Sequence, residues 1–125
     1  MFVGSQRGQA TIELALLLPI VTLFAWALVE IGMVATDNVR LWHAAREAAR
    51  IGAVDGDPKA IREAAERSGL DPIDLSVRPG AEGRIQGEPL TVTLSYRPTS
   101  RAPLIGKLFE AIVMTADATM RIEQP

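Results

Sequence analysis

The sequence predicts an α+β fold: a long N-terminal transmembrane α-helix continues into a small domain with a second helix and an antiparallel sheet of about three strands. Three observations carry this. Ile12–Ala35 is an apolar run of 24 residues, and about 20 suffice to cross the hydrocarbon layer of a bilayer. Helical spacing of apolar residues persists beyond that run. After Pro72 the apolar period changes from 3.6 to 2, the mark of half-buried strands.

The first element is the span. From Met1 to Ala35 the charged side chains are Arg7, Glu13 and Glu30, and the remaining chain carries twelve Lys/Arg and thirteen Asp/Glu. A membrane segment followed by a soluble domain has this distribution. Pro19 removes a backbone donor and is expected to kink or loosen the helix one turn in. Glu13 and Glu30 lie near the two edges, where a carboxylate can reach the interface. Trp26 suits an interfacial aromatic belt. Arg7 precedes the run and Arg40, Arg46 and Arg50 follow it, so counting basic residues does not orient it. Two other readings of the segment stay open: an uncleaved anchor, and a secretory signal peptide with Ala25-Trp26-Ala27 as its A-x-A match.

Past the membrane, Val34, Leu41, Trp42, Ala45, Ala48, Ala49 and Gly52 recur at helical spacing, opposite Arg40, His43, Glu47 and Arg50. One helix is expected from about Gln9 to about Ile51, with Gly52 and the loop 53–56 ending it. Asp57-Pro58 opens a second helix as N-cap and first residue, Ala60, Ile61, Ala64 and Ala65 form its apolar stripe, and Gly69 closes it. Strands follow from alternation at Ile73/Leu75/Val77, at Leu90/Val92/Leu94/Tyr96, and from Ile112 through Met114 and Met120 to Ile122. The 73 residues after Gly52 are few for an independent core, so the sheet is expected to pack on the helix face bearing Trp42. Leu104, Ile105, Leu108 and Phe109 share one side of a helical turn, readable as a loop plug of the sheet or as a contact patch. Three segments result: 1–8 as a leader, 9–52 as the membrane helix with its continuation, and 53–125 as a small exported domain.

Composition excludes several function classes. The net charge of -2 gives no basic field for nucleic acid. The chain has no cysteine and one histidine, His43, and no nucleophile–base–orienter set is apparent. No catalytic residue, cofactor site, metal site or small-molecule substrate is expected. Asp55, Asp57 and Asp71 read as cap and turn residues, and Met114 and Met120 as core.

The residues resemble a known family. Arg7-Gly8-Gln9-Ala10-Thr11-Ile12-Glu13, followed by leucine-rich sequence and Pro19, has the pattern at which type IV prepilins are processed. It is similar to TadE-like proteins of the tight-adherence (Tad, or Flp) pilus system. Val29-Glu30-Ile31-Gly32 resembles the acidic motif at the end of that family's span. Ala44-Ala45-Arg46-Glu47-Ala48-Ala49-Arg50 resembles its Ala-rich segment just outside the membrane. The resemblance is dense from Arg7 to Arg50 and beyond that is one of layout.

The resemblance implies a pseudopilin or minor pilin with a pilin-like fold, cut by a prepilin peptidase between Gly8 and Gln9. Gln9 stands where the usual pilin has an aromatic first residue; TadE-like proteins are compatible with a polar one. It also implies a single-pass inner-membrane protein, N-terminus in and C-terminus out, with or without entry into an extracellular fibre. Its partners would be other pilin-like subunits and Tad assembly proteins. Glu13 would pair with the new amino terminus of a neighbouring subunit, which offsets two desolvation costs at the membrane edge; alternatively it snorkels to the interface. Pro19 and Glu30 are candidate helix-packing positions, while Glu30 can also simply end the span. Arg46, Glu47 and Arg50, with His43, are expected on a solvated, salt-bridged helix face. The function expected is a structural or assembly component of a Tad-type pilus. The other reading is an uncleaved, membrane-anchored binding domain of the envelope.

Overall fold

The computed structural model describes residues 6–99, 107 and 111–125. Helix α1 is Gln6–Val54, helix α2 Pro58–Glu66, strand β1 Ile73–Arg78, strand β2 Pro89–Tyr96 and strand β3 Met114–Arg121, with one 3-10 turn at Ala81–Gly83. The chain divides into two compact units, Met1–Met33 and Val34–Pro125.

In the first unit α1 is exposed almost throughout: Leu14, Leu16, Phe24 and Leu28 are each more than half exposed. Its most apolar 18-residue window has a mean hydropathy of 2.3, and none of it is buried. Among the described residues this is the one helix long and apolar enough to cross a membrane. The helix continues without interruption through Pro19.

In the second unit three antiparallel strands lie in the order β1-β2-β3. Ile73 pairs with Tyr96 and Arg78 with Thr91 on one side of β2. Pro89 pairs with Arg121 and Tyr96 with Met114 on the other. Alternation puts one face of each strand inward: Leu90, Val92, Leu94 and Tyr96 of the central strand are buried, as are Met114, Ala116 and Ala118 of β3. The inner face of β1 is half-buried, as suits an edge.

Small helical residues bring the core together. Leu41, Ala44, Ala45, Ala48 and Ala49 of α1 join Ile61, Ala64 and Ala65 of α2 in one cluster with the sheet's apolar face. The small alanines leave room on α1 that the larger β2 side chains fill. Trp42, expected on this face, is 39% exposed. Leu41 and Ala45, read on the same stripe, are fully buried, so Trp42 lies at its edge rather than in its centre.

The ends of α1 and α2 also differ from expectation. Gly52 does not stop α1, which runs on to Val54. A Cβ at Gly52 would lie 2.7 Å from Leu90 Cδ2 and 3.0 Å from Ile61 Cδ1, so this glycine serves close approach to the sheet and α2. Asp55 N–H closes a last helical turn on Ile51 O at 2.7 Å, and the Ala53 carbonyl is taken up by a tertiary contact, Glu123 and Gln124 N–H both donating to it. Helix α2 starts as read, its N-cap Asp57 accepting from Lys59 N–H at 2.9 Å. It ends at Glu66, and Gly69, at φ +74, turns the chain three residues later. Strand β3 is shorter than its alternation: Ile112 precedes it, 39% exposed, and Ile122 follows it, buried. The turn read at Leu104, Ile105, Leu108 and Phe109 lies outside the described residues.

Gly52→Val should lower the stability of the detergent-solubilised chain by about 1–3 kcal/mol, the usual range for overpacking a filled core. Gly32→Ala, whose Cβ meets nothing within 4 Å, should leave it unchanged or raise it. Thermal unfolding followed by circular dichroism compares the two. Equal midpoints would show that Leu90 and Ile61 yield freely.

Candidate functional site: the polar positions of α1

The residues singled out from the sequence all lie on α1, and the structure groups them locally. Gly8, Gln9 and Glu13 occupy its first turns. The Gln9 side-chain amide donates to Glu13 Oε1 at 3.1 Å, both residues being exposed. Glu13 therefore has a neutral partner one turn back in the uncut chain, and stays open to a further donor. Gly8 is helical, and a Cβ built there meets nothing within 4 Å. The chain's own packing does not ask for glycine at this position.

Pro19 lies inside the helix, so the Ala15 carbonyl has no N–H to accept from four residues on. Thr22 Oγ1 donates to Leu18 O at 2.8 Å, which shields its hydroxyl proton in an apolar surrounding. One turn on, Thr22, Ala25, Trp26 and Val29 line an open apolar groove of about 300 Å³.

Glu30 departs most from an interfacial carboxylate, being 4% exposed. Among the described residues it enters neither of the ion pairs, which are Arg40–Asp37 and Arg50–Glu47. Burying a carboxylate is costly unless it is paired or hydrogen-bonded.

In the second unit Arg50 forks onto Glu47, with Nε to Oε2 at 3.1 Å and Nη2 to Oε1 at 2.9 Å. These hydrogen bonds hold the Glu47 carboxyl below its ordinary range, against a small desolvation effect, with the charges of Arg50 and Arg67 adding to the lowering. A depressed carboxyl pKa means that the contribution of the pair is present above the unfolded value and lost as pH falls through the folded one. The pair is exposed, so that contribution is small. Arg46 and His43 are exposed on the same helix, and the expected solvated, ion-paired face is present.

The sequence reading missed Arg84. It is 9% exposed, donates from Nη1 to Gly56 O, and has a buried Nε with no partner among the described residues. Arg84 ties the α1–α2 loop to the segment before β2. A lone arginine in a turn-rich stretch gives no periodicity from which burial could be read. Among the described residues no three His, Asp or Glu side chains come together as a metal site.

The TadE-like protein family model matches residues 8–50, about a third of the chain. The matched segment runs from Gly8 to Arg50 and coincides with the stretch on which the resemblance rests. That family is associated with the Tad pilus and is structural rather than enzymatic in kind. No curated protein and no solved structure matches the chain.

Replacing Glu30 by leucine should leave the unfolding midpoint of the detergent-solubilised chain unchanged or higher, because it removes a buried carboxylate. A clear drop would reveal a counter-charge held by Glu30.

Proposed function

We propose that the protein is a pseudopilin or minor pilin of a Tad-type pilus, anchored by α1 and processed between Gly8 and Gln9. One observation carries the reading. The matched segment opens on a glycine that the fold does not require, five residues before a carboxylate at the mouth of an exposed, membrane-length apolar helix. A residue the chain itself does not need is free to be read by something else, and a peptidase that binds extended backbone favours a residue without a side chain.

Processing then supplies the chemistry of assembly. Cutting after Gly8 frees the Gln9 amine, a positive charge one turn from its own Glu13 and within reach of a neighbour's. At the edge of a low-dielectric layer, a carboxylate and an amine offset each other's desolvation. Pairing between neighbours would set the axial stagger of packed helices. The segment after α1 lies outside the cytoplasm in this reading, and the protein acts through pilin-like subunits and Tad assembly proteins.

In cells that contain a matching prepilin peptidase, mass spectrometry should find a mature chain that begins at Gln9. Gly8→Val should block the cut without disturbing the domain. A mature chain starting at Leu28 would identify a signal peptide instead, and an uncut chain in the presence of the peptidase would identify a plain anchor.

Glu13→Leu should leave the protein folded, in the membrane and at least partly cut, yet fail to recover partner pilins in a pull-down. Leaving a partner amine buried and unpaired costs roughly 3–5 kcal/mol. Glu13→Asp should be intermediate. Normal recovery by Glu13→Leu would reduce Glu13 to a snorkelling carboxylate.

A further inference from the structure

We propose that a groove between α1 and the C-terminal end of α2 binds the headgroup of an anionic phospholipid, its phosphodiester held by Arg40, His43, Arg67 and Ser68. The proposal rests on the reading above in one respect, that α1 enters the membrane. The groove lies wholly within the second unit and has a volume of about 240 Å³. Ala44 and Ala64, both buried, form its floor. Arg40, His43 and Arg67 stand exposed around it, with Ser68 half-buried beside them.

These four side chains offer donors, and the acid among the lining residues is already engaged. Glu47 has both carboxylate oxygens on Arg50. Glu63 and Glu66 line a separate recess with Arg67. Arg40 reaches Asp37 only at 3.8 Å. Arg67 donates from Nε to Glu63 O at 3.4 Å, and it enters no ion pair among the described residues. Ser68 Oγ accepts from Leu70 N–H at 3.2 Å, which leaves its own proton to give. His43 carries at least one ring N–H in any state. A ring of donors over a floor of methyl groups complements an acceptor-rich anion with carbon attached, and arginines suit phosphate oxygens in particular.

Position along α1 selects the lipid among phosphate esters. The apolar run ends at Ala35, in the same unit, and Arg40 follows five residues on, about 7.5 Å of helix rise. The headgroup layer is about 5–7 Å thick on each side of the hydrocarbon. Helical side chains lean toward the N-terminus of their helix, so Arg40 and His43 lean toward the run. At that level lipid phosphate is the concentrated anion. With Glu47 engaged, no lining residue receives the ammonium of a zwitterionic headgroup, which favours phosphatidylglycerol over phosphatidylcholine.

The test places the full-length protein in phosphatidylcholine nanodiscs with a rising share of phosphatidylglycerol. Native mass spectrometry should find one phosphatidylglycerol retained per chain in preference to phosphatidylcholine. Arg40→Gln and Arg67→Gln should each raise the share needed for half occupancy about tenfold. Arg46→Gln and Arg62→Gln, at exposed arginines outside the groove, should leave it unchanged. Equal shifts from all four would reduce the effect to general surface charge and overturn the proposal. So would equal retention of the two lipids, or displacement of the bound lipid by glycerol phosphate, which would make the ligand a soluble phosphate ester. A chain that enters the discs and shows no lipid preference sinks the groove and leaves the pilin reading standing. A chain that fails to enter them sinks both.

Discussion

The close approach of α1 to the sheet is the contact on which the folded unit depends. Ala45, Ala48 and Ala49 have no exposed surface, and Gly52 admits no Cβ without displacing Leu90 or Ile61. A sheet of three strands, with β1 only half-buried, has too little apolar area to stand alone. Large residues on β2 against small residues on α1 make one filled layer, and α2 closes it through Ile61, Ala64 and Ala65. The tail after β3 then takes up the carbonyl of Ala53, which allows α1 to end inside the unit without a glycine cap.

The same helix is solvated by different media along its length. In the first unit its leucines, phenylalanine and tryptophan face outward, which in water would be an aggregation surface and in lipid is the ordinary state. Against that background the polar positions separate by environment. Glu13 is exposed and, among the described residues, accepts from the Gln9 amide. Glu30 is buried, and Glu47 already has Arg50. The three carboxylates of α1 thus differ in exposure and in their partners among the described residues.

Two glycines of α1 illustrate how packing separates structural from functional demand. Gly52 is imposed by neighbours under 3.1 Å from its absent Cβ. Gly8 has no such neighbours, and helix propensity alone would prefer alanine there. Packing within the chain therefore gives no account of the glycine at position 8. The family-model match begins at this residue, and the proposal of a processed pilin-like subunit starts from these two observations.

Periodicity, caps and the apolar run were sufficient to read from the sequence the α+β class, the membrane-length helix, the Asp57-Pro58 helix start, the pairing faces of β1 and β2, and the Glu47–Arg50 face. Each of these depends on residues close together in the chain. The direction in which α1 presents its face was not local. Trp42 and Leu41 both fit a helical stripe, but adjacent helix positions point about 100° apart, and the packing centres the face on Leu41, Ala45 and Ala48, leaving Trp42 at its edge. The continuation of the helix through Gly52, the burial of Arg84, and the capping of Ala53 by the distant Glu123 and Gln124 were likewise decided by the tertiary structure. They follow from which surfaces meet, and spacing along a single sequence does not encode how far apart two packed backbones come to rest.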